Sequence, residues 1–108
     1  MSIIEPIVLP GKYVNEKVVV SCDFAKRLPH LVNLAAGTAV VAATVLSGVD
    51  ASPSAILSGL PSIEGTKVKQ FIIAGVNGVM YKLTFQVDTD EATPQRLIEE
   101  LDLPVEDP

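Results

Sequence analysis

A sandwich of antiparallel β-strands is the fold this sequence predicts, on three observations. Val79, Tyr81, Leu83, Phe85 and Val87 alternate with Met80, Lys82, Thr84 and Gln86, the two-residue repeat of a strand with one wet face. Short apolar runs recur at intervals of roughly ten residues, separated by Gly, Pro, Asn and Asp clusters, as in all-β sandwiches. Helices of the length that a βαβ unit needs have room only between residues 25 and 37. At 108 residues the chain is one domain with one core.

Met1 to Glu16 holds Pro6, Pro10 and Gly11 and reads as an extended arm. Ile3, Ile4, Ile7, Val8 and Leu9 are more apolar than a free tail, so the arm is expected to pack, either on its own sheet or as a strand on a neighbouring subunit. The sandwich itself is expected over residues 17–105. Its first strand is Lys17 to Phe24, where Val18, Val20, Cys22 and Phe24 alternate with Lys17, Val19, Ser21 and Asp23. Ala25 to Gly37 is a connection broken at Leu28-Pro29, with Leu31, Val32 and Leu34 suggesting a short helical turn or an irregular edge segment.

Thr38 to Leu46 is apolar on both faces, which fits a strand covered on both sides or hidden at an interface. A turn cluster with Asp50, Ser52 and Pro53 leads to a short strand from Ala55 to Leu60, closed by Pro61. Thr66 to Ala74 and Val79 to Val87 follow, and Asn77-Gly78 between them predicts that these two pair as a β-hairpin. For the last segment two readings compete. Thr93-Pro94 could cap a helix to Leu101, whereas Leu101, Leu103 and Val105 alternate with Glu100 and Asp102; the strand is preferred because the sheet needs a last strand at its edge. Glu106-Asp107-Pro108 reads as a solvated tail.

Composition narrows function. The sequence is 48% hydrophobic and 19% charged, so it folds. A formal net charge of -5 without a basic stripe argues against nucleic-acid binding. Apolar runs stop well short of the roughly 20 residues of a membrane helix, and a basic region followed by an apolar one is missing at the start, so the chain reads as soluble and unprocessed. The core, with three Phe, two Tyr and no Trp, must rest on small and β-branched aliphatics.

The residues that carry chemistry elsewhere read as structural here. His30 follows Pro29 in a connection and has no partner carboxylate assigned by the sequence. Cys22 cannot form an intrachain disulfide, being the single cysteine, and its strand position makes it a core residue. Asp88, Asp90 and Glu91 resemble half a calcium loop, but the Gly and the distal Glu are missing at the required spacing, so a polar hairpin loop is expected. The glycines at 37, 48, 59, 65, 75 and 78 sit where strands end and form no phosphate-binding fingerprint. Tyr81 begins a strand, its ring expected in the core and its hydroxyl tying a turn. Catalytic, cofactor and metal residues are therefore expected to be none.

Asp23-Phe24 in the first strand, Ser47-Gly-Val-Asp50, Val68-Lys-Gln70 and the Gly78-Val-Met-Tyr81 strand start together resemble the phage fibre-tail adaptor family, small immunoglobulin-like virion proteins of tailed bacteriophages. The likeness spans roughly Val18 to Val105 and departs at Arg96 to Leu101, where Leu97-Ile98 and Glu99-Glu100 interrupt the alternation of the last strand. It implies an immunoglobulin-like sandwich of about seven antiparallel strands in a non-enzymatic structural protein without cofactors. The implied partners are tail, neck or fibre components and further copies of the chain, with no nucleic acid and no membrane, in a virion assembled in the host cytoplasm. A head decoration or neck protein, or a bacterial adhesion or carbohydrate-binding module, are the alternatives; the last usually presents aromatic platforms, and this chain has no Trp.

Overall fold

The computed structural model describes residues 7–9, 11–28 and 31–106 and, of Ile7 and Val8, the backbone alone. The described residues form β1 (Ile7–Val8), β2 (Lys12–Tyr13), β3 (Val18–Asp23), β4 (Val40–Ser47), β5 (Leu57–Glu64), β6 (Lys67–Ile72), β7 (Met80–Asp88) and β8 (Arg96–Glu106), with 3₁₀ turns at Ala25–Arg27 and Pro53–Ile56. Two sheets face each other. One runs β1-β8-β7-β4, with β2 also on β8; the other runs β3-β6-β5. The chain is an all-β sandwich, as its period-two patterns predict.

The core lies between the sheets and is built from the inward parity of each strand. Val20 and Cys22 meet Val68 and Ile72 on one side, and Val41, Ala43, Tyr81, Leu83, Phe85, Val87, Leu101, Leu103 and Val105 line the other. Phe24, Val68, Ile72, Tyr81, Leu83 and Phe85 are fully buried, while Val18 at the rim is only partly so. Met80, Lys82, Thr84 and Gln86 take the outer face of β7, as the alternation requires.

Three expectations need correction. Lys67–Ile72 and Met80–Asp88 do not pair as a hairpin: β6 lies between β3 and β5, β7 lies between β4 and β8, and residues 73–79 cross from one sheet to the other. In that crossover the Gly78 N–H donates to the Val105 carbonyl, and the Val105 N–H to that of Val79, so the Asn77-Gly78 bend rests on β8. Pro61 does not close a strand, because β5 continues to Glu64 through a register shift between Ser58 and Ser62. That irregularity is where a proline, which has no N–H for the ladder, is tolerated. Of the two readings of Thr38 to Leu46, cover on both sides within the chain fails: β4 is a sheet edge in which Val41 and Ala43 are buried but Val40 and Leu46 are exposed.

The last segment is strand and not helix. β8 pairs antiparallel with β7 from Arg96↔Asp88 to Pro104↔Met80 and continues through Glu106, one residue into the stretch read as tail. Its broken alternation has a local cause. Glu99 has the parity of the core residues, and Arg27 answers it at the flank of the sandwich, Nη1 standing 3.2 Å from its carboxylate. The arm adds β1 and β2 to β8, both in parallel, at Ile7↔Leu101 and Lys12↔Val105. In connection 25–37 the helical turn falls at Ala25–Arg27, ahead of the Leu31, Val32 and Leu34 stretch that suggested one, and Leu34 instead bridges Thr89 as an irregular edge.

Candidate functional site

Most polar side chains inside or beside the sandwich serve a structural duty. Tyr81 stands at the start of β7, fully buried, because its ring continues the inward row of Leu83 and Phe85. Its hydroxyl donates to Asp50 Oδ2 at 2.6 Å and accepts the Val76 N–H at 2.9 Å, joining the β4–β5 connection to the crossover. The other oxygen of Asp50 accepts the Ser52 N–H at 2.9 Å. The tyrosine hydroxyl first, and that amide second, hold the Asp50 carboxyl below the ordinary carboxylate range. Burial, with the hydrogen bond to Asp50, pushes Tyr81 up to about 12.

Gln70, Lys12, Thr89 and Asp102 are buried polar side chains that the sequence reading did not place inside; Asp102, read on the outward side of β8, is buried with its Oδ1 unpaired among the described residues. Gln70 sits between Val68 and Ile72 on the inward face of β6, and its Nε2 donates to the carbonyls of Ser58, Gly59 and Phe71 at 3.2, 3.2 and 3.0 Å. The amide thus serves carbonyls at the irregular part of β5, where the register shift interrupts the ladder. Lys12 is buried in the arm, its Nζ donating to the carbonyls of Tyr13, Val14 and Ala74. Burial lowers its pKa, against a smaller opposing effect of Glu16. Alternation identifies apolar parity; it carries no sign that a polar group at such a position will meet carbonyls from another segment.

The sequence-level candidates fall apart as reactive sites. Cys22 lies with Arg27 and Glu99 beside a cavity of about 450 Å³ next to β3. Burial, then the negative charges of Glu99 and Asp23, push its thiol up to about 12, so at neutral pH it is protonated and a poor nucleophile. Asp88, Asp90 and Glu91 diverge: Asp88 takes the Arg96 guanidinium at 2.9 Å, Asp90 accepts the Asn33 N–H at 3.0 Å, and Glu91 accepts the Thr89 hydroxyl at 3.0 Å. They shape the β7–β8 hairpin loop, with Thr89 also accepting the Gln95 N–H. Among the described residues no group of three or more His, Cys, Asp and Glu is placed to hold a metal ion. His30 lies outside the described residues.

What the fold offers outward is surface. Val19, Phe71 and Leu60 are exposed on the β3-β6-β5 sheet, and Val40, Leu46 and Ile98 on the other. Large apolar side chains gathered on sheet faces mark contact surfaces more often than isolated ones do. No family model, curated protein or solved structure matches this chain.

Proposed function

We propose that this chain is a non-enzymatic structural component of a tailed-phage virion, an immunoglobulin-like adaptor that joins tail or neck components such as fibres to the particle. The observation that carries the reading is the pairing of strand order with the tyrosine tie. Immunoglobulin sandwiches place strands A, B, E and D on one sheet and C, F and G on the other. Apart from the arm, which pairs with β8 and so does not take the place of A beside B, the two sheets here hold B-E-D as β3-β6-β5 and G-F-C as β8-β7-β4. Such domains also carry a tyrosine near the start of strand F whose hydroxyl bonds to backbone a few residues upstream. Tyr81 and the N–H of Val76 match that description.

Assembly by surface burial is the activity this architecture serves. Apolar side chains stand outside both sheets, β4 and β5 are sheet edges among the described strands, and the side chains of Gln70 and Tyr81 are engaged in holding loops. Partners are other virion proteins and further copies of the chain. The test is mass spectrometry and electron microscopy of purified virions. The protein is expected in the particle at stoichiometric copy number at the tail or neck; its absence from purified virions overturns the reading, and density on the capsid faces replaces the adaptor with a head decoration protein.

A further inference from the structure

The outer face of β3-β6-β5 has a row of charges and apolar groups that complements itself. Val19 and Phe71 are direct cross-strand partners, 48% and 58% exposed, and Leu60 beside them is 94% exposed. Together with Ser21 and Lys69 they line a shallow depression of about 620 Å³. Outward positions alternate along the strand, so the row on β3 reads Val19, Ser21, Asp23, with Lys17 just before the strand, and all four are exposed. Its cation stands at one end and its anion at the other, where Lys67 is the cross-strand neighbour of Asp23. Six residues at roughly 3.3 Å each separate Lys17 from Asp23 by about 20 Å, too far to meet within one chain.

We propose that this face docks a second copy of the chain, antiparallel about a two-fold axis between the Val19–Phe71 and Ser21–Lys69 pairs. A two-fold contact uses the same patch twice. Here it brings each Lys17 to Asp23 of the other copy and buries Val19, Phe71 and Leu60 between them. The charge balance of this face suits contact with a second copy. The chain carries -5 overall, yet on this face Lys17, Lys67 and Lys69 stand against Asp23 and Glu64, so two copies meet here without excess negative charge. Three short strands offer well under the roughly 800 Å² per partner of a standard complex. The contact is therefore weak for isolated chains and gains strength when other proteins hold copies close together.

The inference rests on the reading of the chain as an assembly component, and its test uses the purified full-length protein alone. Sedimentation velocity up to millimolar concentration should show a concentration-dependent dimer that Phe71→Asp abolishes. Lys17→Glu should weaken association at least about fivefold, since two symmetric pairs are lost. Lys17→Glu combined with Asp23→Lys should restore it, because the swapped charges meet again only across an antiparallel two-fold. Asp23 also accepts the Ala25 N–H and the Thr66 hydroxyl, so thermal melts accompany each variant. Should Asp23→Lys fail to fold, Asp23→Asn keeps the acceptor oxygen and must weaken association as much as Lys17→Gln does. A wild type that stays monomeric, a folded double variant without recovery, or an Asp23→Asn dimer of unchanged strength overturns the proposal. A monomeric protein that is nevertheless present in virions removes this interface alone, whereas a dimeric one absent from virions removes the virion role alone.

Discussion

The Tyr81 hydroxyl and the Asp50 carboxylate meet at 2.6 Å, and through them two connections 25 residues or more apart in sequence are held to the same strand end. The bond draws Asp50 downward, and burial, with the bond to Asp50 second, raises Tyr81 to about 12.

Tyr81→Phe should therefore lower stability by about 1–3 kcal/mol at neutral pH, because the Val76 N–H and the Asp50 oxygen lose a buried partner. The deficit has two pH limits. Tyr81 titrates higher folded than unfolded, so its contribution is complete below pH 10 and is lost as the pH rises from 10 through about 12. Asp50 titrates lower folded than unfolded, so its contribution is complete above the ordinary carboxylate pKa and is lost as the pH falls through the folded value. Chemical denaturation of both proteins from pH 3 to 12 should show the gap widest in the middle. A gap that is flat with pH would detach the tyrosine from the aspartate.

Leu83→Ala and Lys82→Ala test the faces of β7. Leu83 is fully buried and its truncation should cost about 2–5 kcal/mol. Lys82 is half-exposed, with Glu100 at 3.2 Å, and its truncation should cost less than about 0.5 kcal/mol. Equal losses in urea titrations would mean that the two residues share one environment.

Two crossover glycines separate backbone strain from crowding. Gly78, at φ +81, has open space where a Cβ would stand, while at Gly75, at φ +107, a Cβ would come within 3.1 Å of Val105. Gly78→Ala should cost about 1–2 kcal/mol from the left-handed backbone alone. Gly75→Ala should cost more than that, since the methyl must also displace Val105. Equal melting temperatures for the two variants would deny the contact with Val105.

Cys22 should resist alkylation in the native protein at pH 8, its thiol lying near 12, and react fast once denaturant is added. Labelling at the same rate in both conditions would place the thiol at the surface.

Much of the fold was legible because alternation is a local property. Val20, Phe24, Val68, Ile72, Tyr81, Leu83 and Phe85 are all buried where their parity puts them. Partner choice is not local. Asn77-Gly78 has the chemistry of a tight bend and sits between two strands, yet whether those strands pair or cross between sheets depends on what β3, β4 and β8 offer them. Pro61 misled for a related reason: the carbonyls around its bulge are served by Gln70, whose role shows only once β5 and β6 are side by side. Lys12 was unreadable in the same way, since Ala74 lies 62 residues away. The candidate surfaces were partly visible, in the doubly apolar 38–46 segment; Val19 and Phe71 became a pair only through their register.

The parallel pairing of the arm with the last strand has a consequence for synthesis. Lys12 lies opposite Val105 and Tyr13 opposite Glu106, so the arm waits for partners translated long after it. While β8 is still inside the ribosomal tunnel, β7 lacks one neighbour and the arm has nothing to pair with. Closure must then follow the emergence of β8, at the slow rates of folds dominated by distant pairings. Until then the unpaired edge of β7 is a place where nascent copies can join wrongly.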